Sequence, residues 1–188
     1  LPLLRIFEQI FRALKTLLDQ AQLQITLQRL AHQLVENHLD FSETVLIGMQ
    51  PRGVLFSDRI MALLHQITHN SNLLYGRLDI TFYRDDLHKG SALQAPAQTD
   101  IAFSVDDKRV VLIDDVLHTG RTVRAAMDAI LDFGRPKEVE LMTLIDRRFS
   151  RELPIQPDYV GLSVDTLFEQ KVKVLWQEQE GKDEVVLL

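Results

Sequence analysis

Val110-Val-Leu-Ile-Asp-Asp-Val-Leu-His-Thr-Gly-Arg-Thr122 is the stretch that decides how this chain folds. Its first four residues are an unbroken apolar run, long enough for a strand buried on both faces of a sheet. Asp114 and Asp115 close that run, and a small hydroxyl-bearing turn leads into a helical pattern from about Arg121 to Phe133. Gly134 and Pro136 are the expected stop for this helix. In open α/β sheets ligands sit at the carboxyl ends of the strands, which is where the two acids fall. Backbone N–H groups at the helix start, with the Thr119 and Thr122 hydroxyls, make a cradle for a phosphate. Two acids beside a phosphate repel it unless they bind hydroxyls or a cation. A ribose 2′,3′-diol next to a 5′-phosphate satisfies both demands. An acidic strand end before an ordinary capped helix is the alternative reading of the same residues.

Outward from this segment, strands and helices alternate. Thr44–Met49 is a β-branched run that ends at Gln50-Pro51-Arg52-Gly53, and a helical pattern follows to about Ile67. Leu73–Phe82 reads as a strand, and Asp85–Asp100 as a long mobile loop of a kind that is often functional. Val139–Ile145 is another buried strand. Shorter strands are predicted near Tyr159–Val164, Val172–Leu175 and Val185–Leu187. The alternation predicts an α/β fold with a mostly parallel central sheet flanked by helices. Ahead of it, Leu3, Leu4, Phe7, Ile10, Phe11, Leu14, Leu17 and Leu18 make one apolar helical stripe. Residues 1–22 are therefore expected as an amphipathic helical arm and 23–188 as the domain proper, with a second helix over about Thr26–His38.

Composition narrows the function classes. The chain of 188 residues is 46% hydrophobic and 26% charged, enough apolar content for a core. With no cysteine, disulfide frameworks, zinc–thiolate sites and thiol nucleophiles are excluded. Gln66, Asn70 and Asn72 interrupt the longest uncharged stretch, and Arg5, Glu8, Arg12 and Lys15 break the first apolar run, so neither a membrane span nor a signal peptide is expected. A cytoplasmic protein is the expectation. A net charge of −6 argues against a general polyanion binder.

The thirteen residues 110–122 resemble the phosphoribosyl pyrophosphate signature of type I phosphoribosyltransferases: four apolar residues, two acids, two apolar, one variable, then Thr-Gly-x-Thr. They match neither a Walker loop nor a Rossmann glycine fingerprint. Within that superfamily the chain resembles the pyrimidine operon attenuation regulators that are also uracil phosphoribosyltransferases. Asp79–Leu87, the extended Asp114–Asp128, Gly134-Arg-Pro136, Arg151–Ile155 and Pro157–Gly161 carry the likeness, which spans about Gln24–Val174.

The resemblance implies a type I phosphoribosyltransferase fold with a small hood and a mobile loop. It implies phosphoribosyl pyrophosphate and uracil as substrates, UMP as product, and magnesium held mainly by the donor rather than by a protein cage. It assigns Asp114 and Asp115 to the ribose hydroxyls, and the turn from Val116 and Leu117 through His118, Thr119, Gly120, Arg121 and Thr122 to the 5′-phosphate. Pro51, Arg52 and Gly53 become the pyrophosphate loop. Arg52, Arg84 and Asp85 are the candidate catalytic residues, and His118 and Val160 the candidate base contacts. His118 stands where purine enzymes usually place an Asp, which disfavours a purine substrate; a hypoxanthine or guanine enzyme, or a regulator with little activity, remains the alternative.

Two segments depart from the pattern. Asp146-Arg-Arg-Phe-Ser-Arg-Glu-Leu-Pro154 is one residue longer than the regulators' stretch and lacks its Gly-His. Leu162–Gln170 carries Asp165 and Glu169 where those relatives are basic. Pyrimidine-operon leader RNA, an implied partner, therefore has weaker support here than the enzyme activity. Arg121, Arg124, Arg135, Lys137, Arg147, Arg148 and Arg151 could still form a basic face, with a mixed-charge solvated surface as the plainer reading. A homodimer or higher homo-oligomer is implied by the N-terminal stripe and by the family.

Overall fold

The computed structural model describes residues 15–84 and 98–188, Phe168 excepted. The stripe residues Leu3–Leu14, Asp85 and most of the long loop lie outside the described residues.

Sheet formation follows the apolar runs. Five strands, β2 (Thr44–Met49), β3 (Leu74–Leu78), β4 (Arg109–Leu117), β5 (Glu138–Arg148) and β6 (Tyr159–Asp165), form one parallel sheet in the order β3-β2-β4-β5-β6. Parallel neighbours need crossovers, and helices supply them. Helices α1 (Gln20–His38) and α2 (Gly53–Thr68) cover one face, and α3 (Arg121–Ile130) covers the other. Side chains alternate accordingly. Val45, Ile47, Val110 and Leu112 pack with α3, whereas Leu46, Val111 and Ile113 pack with α1 and α2. Both faces are buried, which is why β2 and β4 read as continuous apolar runs.

A second, antiparallel sheet has the order β1-β8-β7, from β1 (Lys15–Leu18), β7 (Val172–Leu175) and β8 (Glu184–Leu187). This is the hood. A short helix α4 (Gln177–Glu180) joins its last two strands. Arg59 on α2 fastens the hood to the core: it lies 4.8 Å over the ring of the buried Trp176 and pairs with Asp183 at 2.8 Å and Glu178 at 2.9 Å.

Three expectations are corrected. The helical stripe does not run through Leu18. Lys15–Leu18 is a strand, with Lys15 opposite Leu187 and Thr16 opposite Val186, because the hood needs a third strand that local periodicity cannot reveal. The following helix starts at Gln20, ahead of Thr26, where Asp19 and Gln22 cap each other's backbone N–H at 2.8 and 3.0 Å. The strand predicted to Phe82 stops at Leu78. There the Asp79 carboxylate accepts from the Thr81 N–H at 3.0 Å and its hydroxyl at 2.6 Å, which turns the chain into a 3-10 helix at Thr81–Tyr83. Among the described residues no helix is long and apolar enough to cross a membrane.

Candidate functional site

Asp114 and Asp115 lie at the carboxyl end of β4, buried among hydrophobic neighbours because β4 is central in the sheet. The Asp114 side chain accepts the Asp115 N–H at 2.9 Å. Arg52 reaches across from the start of α2 and donates through Nε to Asp115 at 3.1 Å, while its Nη2 donates to the Val174 carbonyl of the hood at 3.3 Å. Burial, and then the Asp115 charge, push Asp114 up to about 8. Asp115 is also raised by burial, with Arg52 opposing. The apo pair therefore holds a proton near neutral pH, and a ligand that donates hydroxyl hydrogens would release it.

Gly53 is what lets α2 approach. A Cβ there would stand 2.4 Å from the Ile113 carbonyl oxygen and 3.0 Å from the Asp114 Cα. The Gln50–Pro51 peptide is cis, Pro51 is exposed, and the Arg52 side chain is half exposed.

Beyond β4 a cavity of about 260 Å³ is lined by Arg84, Asp114, Val116, Leu117, His118, Thr119, Gly120, Arg121 and Thr122. Gly120 caps α3 with φ of 92°, a left-handed conformation that suits glycine, and the first residues of the helix, Arg121 and Thr122, line the cavity. The Thr119 hydroxyl accepts the Arg121 N–H at 3.3 Å, and the Thr119 carbonyl takes the Glu152 N–H at 3.0 Å. Arg121 pairs with Glu152 at 2.6 Å. Arg84 adds a positive charge that acts on Asp114. Geometry and charge fit a phosphate on the helix end, with a sugar diol on the acids.

His118 is pinned by its neighbours. Arg151 donates to its carbonyl and also to the Asp146 carboxylate. Burial, then the Arg147 and Arg151 charges, depress the imidazole below its ordinary pKa, so it is neutral at pH 7. Its Nε2 is buried without a hydrogen bond among the described residues.

Of the residues singled out from sequence, the structure thus brings together Arg52, Gly53, Arg84 and Asp114 through Thr122. Pro51 flanks them. Asp85 lies outside the described residues. Val160 is not brought in: it pairs with Thr143 near the start of β6, and Arg29 of α1 binds its carbonyl at 3.0 Å. At about 3.3 Å per residue, Val164 and Thr166 reach the level of His118 instead. The arginine-rich stretch is the mixed-charge surface of the plainer reading rather than a basic face. Arg124, Arg148, Arg151 and Lys137 pair with Asp128, Asp165, Asp146 and Glu43, and Arg147 is buried. Sequence reading missed Arg59, Trp176 and the buried position of Arg147. An Arg directly after the Asp146 that ends an apolar run was the available signal for the last.

Residues 13–179 match the phosphoribosyl transferase domain family. The chain is 42% identical over 175 residues to the bifunctional protein PyrR of Ligilactobacillus salivarius, covering 92% of this chain and 97% of that one. It is 43% identical over 178 residues to the protein of the same name from Synechocystis, covering 92% and 95%. Among solved structures, a hypoxanthine phosphoribosyltransferase from Staphylococcus aureus superposes with a TM-score of 0.66 at 20% identity, over 91% of this chain and 90% of that one. The Trypanosoma cruzi hypoxanthine enzyme gives 0.69 at 16% identity, over 93% and 95%. At such identities the likeness is one of fold.

Proposed function

The chain belongs to the family defined by the phosphoribosyl transferase domain and, within it, to the bifunctional PyrR proteins, and from that premise we propose that it transfers phosphoribose from phosphoribosyl pyrophosphate to N1 of uracil, releasing UMP and pyrophosphate. The observation that carries this reading is the buried Asp114–Asp115 pair standing directly before the Thr119–Thr122 cradle, with Arg52 on Asp115.

In this reading the α3 end and the Thr119 and Thr122 hydroxyls hold the 5′-phosphate, and the acids accept from the ribose diol. Those two anchors fix C1′ within reach of the base, which turns a bimolecular attack into a positioned one. The bond from C1′ to pyrophosphate breaks as the bond to N1 forms, and the N1 proton leaves to solvent. Arg52 and Arg84 hold the charge that develops on the departing pyrophosphate. Their guanidinium groups suit phosphate oxygens geometrically. Among the described residues no group of three or more His, Asp or Glu side chains is arranged to hold a metal. The two acids present fit magnesium carried chiefly by the donor, with Asp114 and Asp115 holding the hydroxyls it shares. When bound, the ion would neutralise pyrophosphate charge.

The test is product formation from the donor with uracil, hypoxanthine or guanine. UMP alone is expected. Consumption of a purine with no UMP formed overturns the reading in favour of a purine enzyme.

A second role rests on the relatives' name, bifunctional: UMP-responsive binding of a pyrimidine-operon leader RNA. The ion-paired arginines and Asp165 would leave few charges free for phosphates, making such binding weak and its salt dependence shallow. Filter binding at low salt, with and without UMP, decides it: no UMP-dependent tightening removes the role. A homodimer or higher oligomer belongs to the same proposal and is read by light scattering, where a monomeric mass refutes it.

A further inference from the structure

The amino edge of the parallel sheet, opposite the phosphate cradle, holds a buried histidine that the transfer reaction leaves unused. His38 is the last residue of α1, and its side chain is fully buried. The starts of three strands meet around it, through Thr44 of β2, Glu140 of β5 and Tyr159 of β6. Its Nδ1 lies 3.0 Å from the Thr44 hydroxyl. Its Nε2 lies 3.1 Å from the Tyr159 hydroxyl and 3.2 Å from a Glu140 carboxylate oxygen. Tyr159 donates to that same oxygen at 2.7 Å and accepts from the Asn37 amide at 3.1 Å. The Phe41 ring packs beside the imidazole, with centroids 5.6 Å apart.

These bonds fix the tautomer. The phenol gives its hydrogen to Glu140, so both oxygens facing Nε2 can only accept, and Nε2 must carry a hydrogen. In the neutral ring Nδ1 is then an acceptor, which the Thr44 hydroxyl satisfies. A second proton on Nδ1 would meet the Thr44 hydrogen, so the hydroxyl would have to turn. It would also place a charge in a site closed to water. Glu140 and Glu138 of β5 favour that charge, and Arg109 of β4 opposes it. α1 and β2 add only the neutral Asn37 and Thr44 to the network, while Asp158, ahead of β6, bears on Tyr159. Burial outweighs the acids and depresses the imidazole below its ordinary 6.5. We infer that His38 is an acid-operated latch: as a neutral ring it fastens the end of α1 to β2, β5 and β6, and as a cation it lets that end open while the middle of the sheet stays folded. The sign follows from linkage. Below 6.5 an opened His38 takes up a proton that the closed one does not, so acid favours opening.

The latch needs no ligand, so it stands or falls apart from the transferase reading. Amide hydrogen exchange, scaled to intrinsic rates, and the His38 ring resonances are followed by NMR on the ligand-free full chain as the pH falls from about 7.5 to about 5. Protection of the amides at the end of α1, Leu34 to His38, and of Tyr159 is expected to fall about tenfold or more over that range. The amides of Val111 and Leu112, in the middle of β4, should hold theirs. H38Q keeps an N–H for Glu140 but cannot titrate, so its protection at the α1 end should stay level. Protection that stays level in the wild type overturns the inference. So does an H38Q variant that loses protection in step with the wild type, or a His38 ring that titrates at or above 6.5 in the folded protein, which would make it a standing ion pair with Glu140. If H38Q does not fold, the wild-type ring titration and the contrast between α1 and β4 protection decide.

Discussion

Replacing Asp114 by Asn should make the apo protein more stable at neutral pH while weakening its ligand. The amide has the same volume and keeps an oxygen for the Asp115 N–H, now bonded at 2.9 Å. What it removes is a carboxyl group pushed up to about 8 from 3.8 by burial and by Asp115. With the folded pKa above the unfolded one, the folded state binds the extra proton between about pH 4 and 8, so the wild type loses stability as pH rises through that window. At 1.36 kcal/mol per unit, the three-odd units between the unfolded pKa and pH 7 correspond to at most about 4 kcal/mol. Urea unfolding of wild type and Asp114→Asn from pH 4 to 8 reads it directly. The variant is expected to gain under about 1 kcal/mol at pH 4 and up to about 4 kcal/mol at pH 7. In the wild type, UMP affinity should rise with pH over the same window, because the diol binds the ionised pair. A stability gap that stays flat from pH 4 to 8, or an Asn variant less stable at pH 7, refutes the reasoning.

Gly120→Ala should cost about 1–2 kcal/mol, since φ there is 92° and the added Cβ would stand 3.2 Å from the Ile155 side chain. Calorimetry should show ribose 5-phosphate affinity falling with it, and an unchanged affinity would remove Gly120 from the cradle. Arg59→Ala should loosen the hood by about 2 kcal/mol through loss of the contact over Trp176 and the Asp183 pair. Trp176 is the only tryptophan, so red-shifted emission before global unfolding is the expected signature, and a single coincident transition counts against it. Asp19→Ala should lower stability by about 1 kcal/mol in urea unfolding, because it removes the cap that accepts the Gln22 N–H at 2.8 Å. No change would mean that hood packing, not the cap, starts α1.

What the sequence made legible was the part ruled by local pattern. An apolar run of four followed by two acids and a Thr-Gly turn could only be a central strand meeting a helix end, and β4, Asp114, Asp115 and the cradle stand where that pattern puts them. Burial of β2 and β4 on both faces was readable from their unbroken apolar runs. The failures are long-range. Lys15–Leu18 pairs with residues near the other end of the chain, and nothing in its own period distinguishes a strand from the tail of a helix. Val160 was placed by resemblance, but register sets it level with Asp114 and four residues short of Val164, which stands at the His118 level, and Arg29 takes its carbonyl.

The arginines show how pairing, rather than counting, decides what a charged surface can do. Seen as a string, residues 121–151 offered a basic face, with a mixed-charge solvated surface as the plainer reading. In three dimensions most of those charges meet carboxylates on neighbouring elements, so their field over the surface is largely cancelled. Arg135 and Arg147 have no ion pair among the described residues, and Arg147 turns inward. The acids divide in the same manner. Asp165 neutralises Arg148 at the surface, whereas burial raises the pKa values of Asp114 and Asp115. Among the described residues, buried charge gathers at the carboxyl edge of the sheet, with Asp114 and the Arg52-paired Asp115 on β4 and Arg147 on β5. A nucleotide on that edge would meet the α3 end with its phosphate and the acids with its diol at once. Under that arrangement one ligand should raise stability more than the separate contributions of ribose 5-phosphate and free base together.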